Sequence, residues 1–377
     1  MDRGIGRMKL TFGLIGGGRI SHSHIAAAEF DDLAELKAGC FSRNSDKNME
    51  FGRSYGLDPE RVYTDYAEMA EAESKRPDKL DFVIVTTPNI SHYPVCREFL
   101  SRGFNVVCDK PVTVTSEQAY ELERIAEERG LLFAVTYTYG GLPFVHLARE
   151  IYNSGEVGKA YFISLKYYRG SRLAEIIAND IKTWRFTKAI SGPGGTIADL
   201  GTHLDYLGRF LMGSNLKKVL ARLINKPGQV ELDTTGTVLV EYDNGVEGTI
   251  SVAQAACGHD NDIELEILCE KGTIRWNFDC HASVMVDYLD GRSVIHREPG
   301  VSSEAVKKFA HKSPNLTDPQ TTGFINIYSG FLKTLASRKE GDTKQYFYPT
   351  LRDGICGIKF VEACIRSNQN GNIWVNL

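Results

Sequence analysis

The sequence predicts an α/β protein of two domains. A doubly wound parallel sheet is expected over residues 1–140, and an α/β domain with an open, mainly antiparallel sheet over residues 141–377. Three observations predict it. At 377 residues the chain is longer than one hydrophobic core usually spans, so two domains are expected. Up to about residue 140 apolar runs alternate with helical patterns across short connections, which means parallel crossovers. Beyond that point the pattern becomes period-two alternation around tight-turn dipeptides, which means antiparallel hairpins.

The elements follow in order. LTFGLIG (10–16) reads as a buried strand, with a helix from Ile20 to Ala28 after it. LKAGCFS (36–42) is a second strand, followed by a helix through MEFGRSYG. LDFVIVTT (80–87) is a strand stopped by Pro88, and HYPVCREFLSRG is helical. FNVVCDK (104–110) is the next strand. A helix over TSEQAYELERIAEERG then opens with a capping box, Thr115 to Gln118, and closes at Gly130. LLFAVTY (131–137) completes the parallel sheet.

In the second half KAYFISLKYY (159–168), TTGTVLVEYD (234–243) and VEGTISVAQ (246–254) alternate, the last two around Asn244-Gly245. IELEILCE and TIRWNF meet at Lys271-Gly272, and SVMVDYL ends at Asp290-Gly291. GGTIADLGTHLDYL (194–207) reads as a helix that carries Asp199 and His203 on one face. Leu200, Leu204, Leu207 and Leu211 form its packing stripe. The pair is either catalytic or an ordinary acid and buried histidine, and spacing alone does not decide. DGICGIKFVEACIRS is a closing amphipathic helix.

Composition narrows the function classes. The chain is 42% hydrophobic and 24% charged with no low-complexity tract, as in a soluble globular protein. A formal net charge of −4 with scattered Lys and Arg gives no reason to expect a nucleic-acid or membrane partner. The opening MDRGIGRMKLTFGLIGGGRIS has a short apolar run, broken by glycines and closed by Arg19, so no signal peptide is expected. The eight cysteines are dispersed without a CxxC pair, which argues for reduced thiols and a cytoplasmic location. His22, His24, His92 and His203 lack zinc-type spacing, so no metal is expected.

Several motifs sit where a nucleotide would bind. GLIGGGRIS offers Gly16, Gly18 and Ser21 in the place of G-x-G-x-x-G/A, between the first strand and the first helix. Glycines let the backbone turn tightly toward a pyrophosphate, and the helix start at Arg19 and Ile20 presents N–H groups to it. After the second strand, Cys40-Phe41-Ser42-Arg43 has no acid before Asp46. Ser42 and Arg43 therefore leave NADP open beside NAD, unless Arg43 is only a solvated loop residue. Thr87, Pro88 and Asn89 lie at the carboxyl edge of the third strand, fit to shape the nicotinamide-ribose side. His92 either faces the site or packs its helix. Asp109 and Lys110, in CDKP, end the next strand at the same edge. The proline restricts the lysine backbone, which makes Lys110 a positioned donor or, in the plainer reading, a surface charge.

Taken together, GLIGGGRISHSH, TPNISHYP, CDKP and GGTIADLGTH resemble the Gfo/Idh/MocA family of NAD(P)-dependent oxidoreductases. The similarity extends through EKGTIRWN to YPTLRDGICGIKFVEA, with Asp109 standing where the family usually has Glu. The resemblance implies a Rossmann domain, a second domain whose sheet covers the active site, and a homodimer or homotetramer. It implies hydride exchange between NAD or NADP and a hydroxyl of a sugar, inositol or related polyol. By position it makes Lys110, Asp199 and His203 the working triad, with His203 as acid/base, Asp199 orienting substrate and Lys110 polarising the oxygen. Tyr137, Tyr139, Trp184 and Arg185 are candidate substrate contacts, with core packing or a solvated surface as the competing reading of each. Two other functions stay open: a glycoside hydrolase that retains NAD and works by transient oxidation and elimination, and a non-catalytic NAD(P)-binding regulator. The polar stretch from 300 to 322 is expected to be a lid or an oligomer contact.

Overall fold

A computed structural model describes residues 9–178, 180, 183–228, 230–297, 303–309 and 318–377. The chain forms two compact units. The first holds residues up to 112, 117–136 and 324–352; the second holds 113–116, 137–323 and 353–377. Residues 324–352 thus belong with the first unit, whereas the boundary expected near residue 140 left them in the second. Helical periodicity in a sequence does not say against which sheet the helix packs.

The first unit is a parallel sheet of β1 (Leu10–Ile15), β2 (Ala34–Cys40), β3 (Phe82–Val85), β4 (Asn105–Cys108) and β5 (Phe133–Val135), in the order β2-β1-β3-β4-β5. Helices α1 (Arg19–Glu29), α2 (Ser45–Ser54), α3 (Tyr66–Ser74), α4 (His92–Ser101) and α5 (Ser116–Glu128) connect the strands. β3 reads FVIV and is buried at every position, as a strand covered on both faces should be. β2 begins and ends two residues earlier than its apolar run suggests. The N–H groups of Phe41 and Ser42 leave the ladder and donate to Asn48 Oδ1, at 2.8 and 3.1 Å. The returning segment adds Phe331, edge-on to Phe82 at 5.4 Å, and Pro349 O, which accepts from Val135 N at 2.9 Å.

The second unit is built on nine strands: β6 (Ala160–Tyr168), β7 (Leu216–Ile224), β8 (Thr235–Tyr242), β9 (Glu247–Ala253), β10 (Asp262–Cys269), β11 (Gly272–Asn277), β12 (Ser283–Tyr288), β13 (Ser293–Arg297) and β14 (Val375–Asn376). Their order is β13-β12-β11-β10-β6-β9-β8-β7-β14. All pairs are antiparallel except β6 with β9, so the sheet is mainly antiparallel as expected. Gly245 sits at φ +86° in the β8–β9 hairpin and Gly291 at φ +87° after β12, the left-handed turn positions that the Asn-Gly and Asp-Gly pairs announced. The sheet's inner face packs on helices α6 (Pro143–Ser154) and, after the short α7 (Leu173–Ala178) and α8 (Lys188–Ser191), α9 (Thr202–Met212). Leu204, Leu207 and Leu211 of α9 are fully buried in that core. α10 (Glu304–Phe309), α11 (Pro319–Lys339) and α12 (Leu351–Gln369) complete the helices described.

Residues 300–302 and 310–317 of the stretch expected as a lid or oligomer contact lie outside the described residues, as does the start of the chain up to residue 8. Among the described residues no helix is long and apolar enough to cross a membrane, and no group of His, Cys, Asp or Glu is disposed to hold a metal ion.

Candidate active site

In the first unit the turn from β1 to α1 is made by backbone. Gly16 takes φ +114°, and a Cβ there would lie 2.6 Å from Thr86 Oγ1. A Cβ on Gly17 would stand 2.7 Å from Phe41 O, whereas nothing lies within 4 Å of one on Gly18. The pinched pair is therefore Gly16 and Gly17, and the open space is over Gly18. Gly18 is the N-cap of α1 and has no side chain to cap it, which leaves the first N–H groups of the helix, at Arg19 and Ile20, for a ligand. Ser21 is fully buried; its Oγ donates to Gly16 O at 3.0 Å and lies 2.8 Å from Thr86 Oγ1, which locks the turn to the end of β3. Pinched glycines, free space and an uncapped helix start fit a pyrophosphate.

The neighbouring loops extend this edge. After β2, Ser42 Oγ accepts from Asn44 N at 3.1 Å, and Asn44 in turn caps α2. Arg43 is exposed and forms no ion pair among the described residues. After β3, Thr87 Oγ1 is buried and lacks a hydrogen-bond partner among the described residues, a donor to spare for a ligand oxygen. Asn89 follows Pro88 in a short 3₁₀ turn and is buried.

Of the expected cofactor contacts, His92 has both ring nitrogens engaged within the protein, and Asp109 is half-buried with its Oδ1 engaged. His92 is 1% exposed, and its two ring nitrogens reach carbonyl oxygens of Pro111 (Nδ1, 2.8 Å) and Thr87 (Nε2, 2.7 Å). No ring nitrogen is left over for a ligand. The imidazole ties the loop after β3 to the loop after β4. Burial lowers its pKa, against the pull of Asp109 and of the two carbonyls. Asp109 Oδ1 accepts from Lys110 N at 2.8 Å and from Thr136 Oγ1 at 2.9 Å. Burial resists its charge, but His24, Lys110 and His92 bring its carboxyl below the usual range. Asp109 thus braces the backbone that carries Lys110. His24 is fully buried against Tyr328, with Nδ1 2.7 Å from the phenol oxygen, and burial lowers its pKa to about 4.

The second unit supplies a site made of side chains. Residues Ile197–Gly201 form a π-helical turn that runs into α9, so Asp199 lies in the wide turn and His203 at the second residue of the α-helix. Such turns occur mostly where function needs them. Buried Asp233 secures the start: its Oδ1 accepts from Gly195 N and its Oδ2 from Ile197 N, both at 2.7 Å. A Cβ on Gly195 would collide with Asp233 O, which is why glycine stands there.

Asp199 Oδ2 accepts from Gln254 Nε2 at 2.6 Å and lies 3.4 Å from Arg185 Nε. Arg185 also spreads over the Trp184 ring, 4.8 Å from its centroid. His203 is 6% exposed, with ring centroids of Tyr139, Tyr137 and Tyr167 at 4.8, 6.0 and 6.2 Å. Tyr167 OH donates to Asn261 Oδ1 at 2.8 Å and stands 2.7 Å from Tyr139 OH. Because the Tyr167 proton goes to Asn261, Tyr139 must be the donor to Tyr167. Burial holds both phenols protonated, Tyr167 pushed up to about 12 and Tyr139 well above its usual range. Tyr137 is fully buried, stacked on Tyr206 at 4.9 Å and edge-on to His203, and its OH has no hydrogen-bond partner among the described residues.

Sequence reasoning missed Gly17, Tyr167, Asp233, Gln254 and Asn261. Tyr167 was accessible in principle, being in phase with buried Ile163 and Leu165 on β6. Gln254, directly after β9, and Asn261, at φ +58° before β10, carry no local signal that links them to Asp199.

Comparison with known proteins now decides the family. Residues 10–137 match an oxidoreductase family with an NAD-binding Rossmann fold, and residues 145–275 match the GFO/IDH/MocA C-terminal domain. The chain belongs to the Gfo/Idh/MocA family. An oxidoreductase from Sinorhizobium meliloti has a crystal structure with a TM-score of 0.87 and 31% identity, covering 98% of this chain and 100% of its own. An inositol dehydrogenase homolog from Azotobacter vinelandii, in complex with NADH and myo-inositol, matches with a TM-score of 0.88 and 25% identity over 98% of each chain. Levoglucosan dehydrogenase of Pseudarthrobacter phenanthrenivorans is 24% identical over 75% of this chain and 77% of its own. This Gfo/Idh/MocA chain is an NAD(P)-dependent oxidoreductase.

Proposed function

We propose that this enzyme exchanges hydride between the nicotinamide of NAD or NADP and a secondary hydroxyl of a sugar, inositol or related polyol. The observation that carries the reading is Asp199, fixed by Gln254 and Arg185, one turn before a histidine walled by tyrosines. Relatives that act on inositol-like and anhydrosugar compounds support the substrate class. When bound, the cofactor supplies the hydride acceptor. His203 takes the hydroxyl proton as the C–H electron pair leaves, and returns it in the reverse direction; imidazole suits this near neutral pH. Asp199 accepts from a substrate hydroxyl and orients the ring. Lys110, carried on the backbone that Asp109 braces, donates to the reacting oxygen. Tyr139, its own proton given to Tyr167, offers a lone pair to a further hydroxyl.

In the first unit the N–H groups of Arg19 and Ile20 take the pyrophosphate, and Thr87 and Asn89 take the ribose beside the nicotinamide. Ser42 and Arg43, with no acid beside them, let the site accept the 2′-phosphate of NADP. The outward side of the second sheet, where Leu239 and Ile224 are exposed, serves as a contact between copies, which light scattering on the purified protein would show as a dimer or tetramer.

A panel of inositols, aldoses and glycosides screened with both cofactors tests the reading. At least one polyol should be oxidised with stoichiometric reduction of NAD or NADP, and Lys110→Ala should abolish that turnover. Cleavage of a chromogenic glycoside without net cofactor reduction would overturn it.

A further inference from the structure

Arg169 is the group in the second unit's site that the reaction does not use. It follows β6, and the ladder runs on through it: Arg169 N donates to Ala253 O at 2.7 Å and Ala256 N to Arg169 O at 3.0 Å. Alternation therefore puts Arg169 on the face of Ile163, Leu165 and Tyr167, the inner face of the sheet. Its charge acts on Tyr139, Tyr167 and Asp199, the groups that wall the site, and on Asp260, which is exposed. Yet its Nε is shielded from solvent without a hydrogen-bond partner, and the guanidinium forms no ion pair among the described residues.

The charge balance of this wall is uneven. Asp199 already has Arg185 and Gln254 as partners. Arg172 is engaged by Glu175, and Lys166 by Asp262 and Glu264. Arg169 is left as a surplus, half-buried cation with planar donors. Withdrawing a guanidinium from water without a partner is costly, and its fork matches a carboxylate or phosphate.

We infer that Arg169 is a specificity residue that binds an anionic oxygen group, a carboxylate or a phosphate, carried by the substrate away from its reacting carbon. The inference rests on the polyol oxidoreductase reading and narrows it to sugar acids or sugar phosphates.

The test uses matched sets with the cofactor-loaded enzyme: glucose, glucuronate and glucose 6-phosphate, and myo-inositol with its monophosphate. Wild type should favour one anionic member over its neutral parent by about tenfold or more in kcat/KM, and which member it favours separates carboxylate from phosphate. Arg169→Gln should collapse that ratio toward unity, and Arg169→Lys, which keeps the charge but not the fork, should fall between. A neutral parent preferred by wild type, or a ratio unmoved in Arg169→Gln, overturns the inference. If no compound is oxidised, calorimetric titration of the same sets decides it separately. Anion binding that is lost in Arg169→Gln would sustain the Arg169 site while the oxidoreductase reading of these substrates fails. No anion binding would overturn the Arg169 site as well.

Discussion

The two units build their candidate sites from different material. In the first unit the candidate site is made of backbone: pinched glycines, an uncapped helix start and loops tied together by a histidine between carbonyls. In the second unit the candidate site is made of side chains drawn from separate segments, Tyr139, Tyr167, Arg185, Asp199, His203 and Gln254. A backbone cradle recognises what every dinucleotide shares, phosphate and ribose. A side-chain wall can be rebuilt one residue at a time, so substrate choice belongs there.

The largest effect should come from filling the cradle. Gly16→Val needs a left-handed φ that a β-branched residue resists, and its Cβ would strike Thr86. Affinity for NADH and NADPH should fall by about 100-fold or more in fluorescence titrations. Unchanged affinity would break the backbone account.

The next effect concerns stability in the first unit. His24, with its pKa lowered to about 4 from 6.5, stays neutral in the folded state while the unfolded chain takes up a proton. Its contribution is present above the unfolded value and is lost as pH falls from about 6.5 toward 4, by up to about 3 kcal/mol. Urea unfolding at several pH values should show that decline, and His24→Phe should flatten it. An equally steep decline in the variant would remove His24 as the cause.

Smaller effects should separate the two units. Gln254→Ala removes the 2.6 Å bond that fixes Asp199 and should cost about 10-fold in kcat/KM with little change in cofactor affinity. A loss of cofactor affinity instead would blur the distinction. Arg43→Ala should do the converse, raising the Kd of NADPH several-fold, about 5-fold, and leaving that of NADH alone. If wild type already binds NADH far more tightly than NADPH, the role given to Arg43 fails.

The same contrast explains what was legible in the amino-acid sequence. Backbone-built features need glycine or proline at fixed offsets, so GLIGGGRIS, TTPNISHYP and CDKP can be placed at the sheet edge from residue order alone. The pattern does not single out Gly17, whose close approach to Phe41 O comes from packing and is not a matter of spacing. His92 and Asp109 are recognisable as edge residues but not as braces, since that depends on a carbonyl 19 residues on, another five residues back, and on Thr136. In the second unit Asp199 and His203 share one short stretch and could be paired. Gln254 reaches Asp199, and Asn261 reaches Tyr167, only because strands distant in sequence end side by side. The return of residues 324–352 to the first unit was hidden for the same reason.

The most direct test of the central claim, that the proton transfer belongs to a side chain of the second unit and is separable from the cofactor cradle of the first, is a paired measurement on His203→Asn. Turnover of the polyol found by screening should fall by about 1,000-fold or more, while the Kd for NAD(P)H stays within about threefold of wild type. Turnover within about tenfold of wild type, or cofactor affinity lost together with turnover, would contradict the account.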